Sequence, residues 1–174
     1  MWSHYHRLLW PSLLLLLLQS VAQGDNNSDA EVEAAVIFNF FKFIEWPAEA
    51  GNEQQLIICS NDEGAVIEAL QMLEGKTVNG KILQVRRHLP AEDLRRCQIV
   101  YMENPRAGIL RDLRAYPVVT VSSSSDFIEQ GGMIVLAPER NHLGFDINQE
   151  LALSNGVRIS ALLLKLARSV RNGM

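Results

Sequence analysis

The chain has 174 residues with 16 basic and 20 acidic side chains, a formal net charge of −4, and no basic stripe. That balance argues against nucleic acid as a partner. A hydrophobic content of 48% supports a real core, and the length suits one domain rather than two.

Residues 1–22 read as a secretory signal. Arg7 gives a positive start, Leu8 to Leu18 form an apolar stretch broken only by Pro11 and Ser12, and Ser20-Val21-Ala22 offers small residues for cleavage. The stretch is short for a membrane span, an uncleaved anchor being the alternative. No cysteine follows the cleavage region, which argues against a lipid anchor. Residues 23–28, QGDNNS, then form a flexible polar start of the mature chain, and residues 29–174 form one domain. In an oxidising compartment Cys59 and Cys97 can pair in only one way, closing a loop of about 38 residues; two buried free thiols are the alternative.

Ser28 or Asp29 can cap a helix running to about Trp46, with Pro47 as its stop. Its last part, FNFFKFIEWP at 38–47, holds four of the six phenylalanines and Trp46. Val32, Val36, Asn39, Phe40 and Phe43 share one face, and the apolar arc exceeds what one core contact needs. Phe38, Lys42 and Trp46 form a further stripe at i, i+4 and i+8. A cation between two aromatics suits a docking patch or a planar ligand. The alternative packs Phe38 and Trp46 under a loop while Lys42 extends to water.

Gln55–Cys59, Gln98–Met102 and Pro117–Val121 are short apolar runs of the kind buried on both sheet faces. Helices are expected at about Glu63–Leu73, after Pro105, and briefly at Ser125–Gln130. Asn79-Gly80 marks a tight turn between Thr77-Val78 and Ile82–Arg86. Met133–Leu136 and Leu143–Ile147 form a C-terminal antiparallel strand pair, expected at a sheet edge. Asp146 either caps the following helix or offers a carboxylate to a partner. After a break at Asn155-Gly156, a long C-terminal helix carries Leu162, Leu163, Leu166 and Val170 inward. The alternation predicts an α/β fold, a single layered domain with a mostly parallel central sheet flanked by helices.

Signatures of catalysis are missing: no G-x-S-x-G, H-E-x-x-H, C-x-x-C, Walker loop or G-x-G-x-x-G occurs. His88 and His142 are isolated. Ser122–Ser125 follows a strand end, where binding loops often sit, or is a polar loop and helix cap. Gly131-Gly132 lets backbone approach a ligand closely or is the turn feeding the next strand. The chain is therefore not expected to be an enzyme, and no cofactor or metal is implied.

Taken together, FNFFKFIEWP, LIICS, GKTVNGKILQVRR, CQIVYM, GGMIVLAPERNHLGFDIN and NGVRISALLLKLARSV resemble the YfiR family of exported bacterial domains over nearly the whole mature chain. The resemblance implies a periplasmic α/β domain that often dimerises and is not an enzyme. It implies repression of an inner-membrane diguanylate cyclase through that protein's periplasmic sensor region, with an outer-membrane lipoprotein able to sequester the repressor. The alternative it implies is a module that binds a nucleotide or aromatic amino acid and signals to another membrane partner, such as a histidine kinase. Carried over by motif, Phe38, Lys42 and Trp46 of the aromatic segment, Asp146 of F-[DE]-I-N and Arg158 before the I-S-x-L-L-x-L-A stretch become candidate partner- or ligand-binding residues. Cys59 and Cys97 match one family disulfide; a second, found in some members near GGMI, has no cysteines here.

Overall fold

The computed structural model describes residues 24–50, 54–139 and 142–173. The signal read in residues 1–22 lies outside them. Among the described residues no helix is long and apolar enough to cross a membrane.

Among the described residues, eight strands form one sheet. Two-residue β1 (Ile44–Glu45) and β9 (Arg158–Ile159) make a separate small ribbon. The large sheet begins with β2 (Gln55–Ser60), a run of bulky apolar residues buried on both faces. Helix α2 (Ala65–Gln71) returns the chain to the hairpin of β3 (Thr77–Val78) and β4 (Lys81–Arg87). Asn79 and Gly80 take φ of 51° and 77°, the pair of positive values a tight primed turn demands. The chain then crosses to the other side of β2 with β5 (Ile99–Tyr101), and α3 (Ala107–Leu113) leads to β6 (Val119–Ser122). Next come β7 (Ile134–Pro138) and β8 (Leu143–Asn148), then helices α4 (Gln149–Ser154) and α5 (Ala161–Leu166), and finally β10 (Ser169–Arg171). The spatial order is β10-β8-β7-β6-β5-β2-β4-β3. Within this sheet, among the described residues, only the β3–β4 and β7–β8 pairs are antiparallel.

Side chains alternate across this sheet and feed two cores. Ile58, Ile99, Tyr101, Val119, Val121, Ile134 and Leu136 face α1 (Gly24–Phe40), α2 and Leu163 of α5. Ile57, Cys59, Val100, Met102 and Val135 face α3, Leu94 and Phe127.

Five expectations need correction. Helix α1 ends at Phe40, not near Trp46, and it begins at Gly24, inside the stretch expected to be flexible. The long C-terminal helix is instead the six-residue α5 followed by β10, which pairs parallel with β8. Arg168 donates its backbone N–H to Phe145 O at 2.9 Å, and this pairing ends the helix. The β7–β8 pair consequently lies inside the sheet, and β10 takes the edge. Residues 125–130 form consecutive turns rather than a helix, with Phe127 held on the neighbouring glycine: a side chain at Gly132 would collide with the Phe127 ring.

Candidate functional site

The aromatic segment is a corner, not a helical stripe. After Phe40 three tight turns follow, with Phe41, Lys42 and Phe43 donating to the carbonyls of Phe38, Asn39 and Phe40 at 3.4, 3.0 and 2.9 Å. The chain then straightens into β1, whose Ile44 lies opposite Ile159 and whose Glu45 lies opposite Arg158 of β9. Pairing with β9 therefore ends α1 six residues before Pro47 could. Phe40 meets Phe145 edge-on with ring centroids 5.5 Å apart, and Phe41 leans on Trp46 at 5.4 Å. The Trp46 indole N–H donates to Gln98 O at 3.2 Å, so its polar edge is spent inside the fold. Phe38 is half-buried against the same core, whereas Lys42 is exposed. Four of the candidates, Phe38, Lys42, Trp46 and Arg158, thus belong to one corner, joined by the β1–β9 ribbon.

Beside that corner is a cleft of about 400 Å³. Phe41, Trp46, Leu56 and Val78 give it apolar walls, and Glu45 and Asn79 supply polar groups. Lys42 and Arg158 are not among its lining residues.

Asp146 stands apart from the corner. It caps nothing: the side chain of Asn148 accepts the Leu151 N–H at the start of α4. Asp146 instead receives two hydrogen bonds from Arg168, at 2.6 and 3.1 Å, in a bidentate pair. Arg168 also reaches Glu139 at 3.4 Å, and its aliphatic stem lies across Gly144, where any Cβ would collide with it. The pair pins β10 to β8, with Ser169 in register opposite Asp146. Arg168 was legible only as an outward basic residue of an expected helix; nothing in its spacing names Asp146.

Of a polar network at the C-terminal ends of β5 and β6, sequence reasoning reaches only the Ser122–Ser125 loop, not its partners. In an open α/β sheet the crevice outside the strand C-terminal ends, at the point where strand order reverses (here between β2 and β5), is the usual ligand site. Here α1 and acidic side chains occupy this end of the sheet. Glu33 of α1 is 8% exposed and accepts a hydrogen bond from the Ser123 hydroxyl at 2.5 Å. Burial pushes its carboxyl above the ordinary range; the Ser123 bond pulls it back, and the charges of Glu103 and Asp29 push it up again. Buried Tyr101 donates its hydroxyl to Glu103 at 2.9 Å, and burial raises its phenol so that the proton stays. Asp62 accepts the backbone N–H groups of Glu103 and Asn104 at 3.0 and 3.4 Å and pairs with Arg106 at 3.2 Å. On the opposite face, Cys59 and Cys97 form a disulfide between β2 and the approach to β5. Among the described residues no group of three or more His, Cys, Asp or Glu is placed to hold a metal ion.

The third surface is apolar. Leu162 and Leu166 of α5, at i and i+4, are 55% and 60% exposed, while Leu163 between them is buried.

A YfiR/HmsC-like family model matches residues 30–168, which takes in α1 from Ala30 and every strand but β10. The chain belongs to the YfiR/HmsC-like family. This is a regulatory rather than a catalytic family, periplasmic, and associated with cyclic-di-GMP signalling and membrane-associated partners. No curated protein matches the chain. Among solved structures, it is similar to the crystal structure of a conserved domain protein from Vibrio cholerae O1 biovar El Tor, with a TM-score of 0.54 and 13% identity. The likeness covers 81% of this chain and 60% of that one, so the chain spans less than two thirds of its neighbour, and at this identity it shows the fold alone. YfiR/HmsC-like membership and the mixed α/β sheet thus agree.

Proposed function

We propose that the protein is a periplasmic negative regulator that binds the periplasmic sensor region of an inner-membrane diguanylate cyclase and lowers cyclic-di-GMP production. The observation that carries this reading is the family match across residues 30–168. The surfaces that support it are the outward face of Leu162 and Leu166 on α5 and the edge strand β10 that follows this helix in the chain. Exposed leucines at i, i+4 suit the apolar centre of an interface. Because the Arg168 N–H is directed to β8, strand alternation turns the backbone groups of Ser169 and Arg171 outward, where a partner strand can add. Repression is then a matter of linkage: the regulator must bind the inactive sensor state more tightly than the active one. A preference of about 3 kcal/mol shifts the ratio of states roughly 150-fold. An outer-membrane lipoprotein that covers the same surface would release the cyclase.

Deleting the gene beside an intact cyclase should raise cyclic-di-GMP and biofilm; unchanged levels count against the function. In a pull-down with the purified sensor region, Leu162→Glu combined with Leu166→Glu should abolish capture while circular dichroism stays native. Full capture by that variant would reject the surface and leave the function standing.

The cleft beside Phe41 and Trp46 supports a second reading, a small-molecule binding module signalling to another membrane partner such as a histidine kinase. Calorimetry with nucleotides and aromatic amino acids tests it, and uniformly flat titrations would remove it.

A further inference from the structure

The network beneath α1 does something a plain structural contact does not. It holds a carboxyl group more than nine-tenths buried, on a helix that must stay seated for the aromatic corner to keep its shape. We propose that Glu33 makes the seat of α1 pH-sensitive: the helix is latched while Glu33 carries its proton and loosened once the proton leaves.

The geometry is specific. Glu33 faces the ends of β5 and β6 through Ser123, which it meets at 2.5 Å. Among the described residues, the charged and titratable groups around it are nearly all acids. Asp29 lies one helical turn before it on α1, Glu103 follows β5, and Tyr101 of β5 keeps its phenol proton. Glu139 and His142, flanking the β7–β8 turn, line with Asp29 and Glu33 a cleft of about 370 Å³. Among the described residues, His142 is the one basic side chain lining that cleft, and it is engaged by Glu139 at 3.0 Å. Arg106, the cation on the Glu103 side, is held by Asp62. No cation among these described residues is directed at Glu33. Its carboxylate would form in a desolvated place beside two like charges, with one hydroxyl to stabilise it.

The sign follows. Glu33 holds its proton more tightly in the seated helix than in a released one, where its carboxyl returns to the ordinary range. The seated state therefore binds more protons, and its advantage is complete below the ordinary carboxylate range. That advantage is lost as pH rises through the raised value. Ala30, Ala34, Ile37, Phe40 and Phe41 share this helix and its exit, and they are buried in the core. Loosening α1 thus reaches the Phe41–Trp46 corner directly.

Hydrogen exchange of the purified protein tests the latch. After correction for intrinsic exchange, protection of α1 amides should be lower at about pH 8 than at about pH 4, which lies below the ordinary carboxylate range. In Glu33→Gln, which keeps shape and hydrogen bonding without a titrating proton, the fall should vanish. An equal fall in that variant, or pH-independent protection in the parent, overturns the proposal. If Glu33→Gln does not fold, Ser123→Ala decides. Losing the one bond that favours the carboxylate should move the transition to higher pH, and an unmoved midpoint overturns the latch.

Discussion

Single side chains show how far chemistry outruns spacing. Asp146 carries a motif position that suggests a partner-facing acid, yet both its oxygens are taken by Arg168. Asp146→Asn should cost about 1 kcal/mol, because the pair is partly exposed and screened. The loss should concentrate at β10, read as faster amide exchange at Ser169–Arg171, and high salt should shrink the difference. Gly144→Ala attacks the same lock from below by displacing the Arg168 stem. It should produce the same local fraying while Asp146 is intact. Tyr101→Phe removes a buried donor to Glu103 and should lower stability by about 1 kcal/mol in urea unfolding. None of these partnerships was visible beforehand. Glu33 and Ser123 stand 90 positions apart, and only the closed sheet brings them within a hydrogen bond.

At the scale of elements, what was readable is what local physics decides. The doubly buried runs at Gln55 and Gln98 became β2 and β5, and Asn79-Gly80 made its turn because few residues tolerate two positive φ values in succession. Gly80→Ala should therefore cost roughly 1 kcal/mol in thermal unfolding without changing the fold. The errors fall where a distant partner overrules a local preference. Ile44 leaves the helical pattern because Ile159 waits opposite it, and Val170 leaves its leucine-rich arc because β8 offers an unpaired side. A helical period of 3.6 reports which residues could share a face, not which neighbour will compete for their backbone. The Cys59–Cys97 bond joins two elements across 38 positions, and its reduction should cost up to about 4 kcal/mol, seen as a lower urea midpoint with reductant present.

For the molecule as a whole, two cores on opposite sides of one sheet share the same strands, so they should melt together. Trp46 can check this. The other tryptophans, Trp2 and Trp10, fall within the expected signal, which leaves Trp46 as the single indole of a processed chain. Its fluorescence transition should coincide with that of circular dichroism, and a separate earlier step would mean that the corner opens alone. The sulfurs of Cys59 and Cys97 impose a condition in time. Both cysteines lie sealed under α3 and its neighbours, 0% and 3% exposed, where neither an oxidase nor a small reductant has an approach. The bond must be made while the polypeptide is still open, during its delivery to an oxidising space, and once made it can be undone only through molecules that have transiently opened. The rate at which thiols surface in a reductant is thus a clock for spontaneous opening, and it should keep the same time whatever the reductant's concentration once that concentration is high.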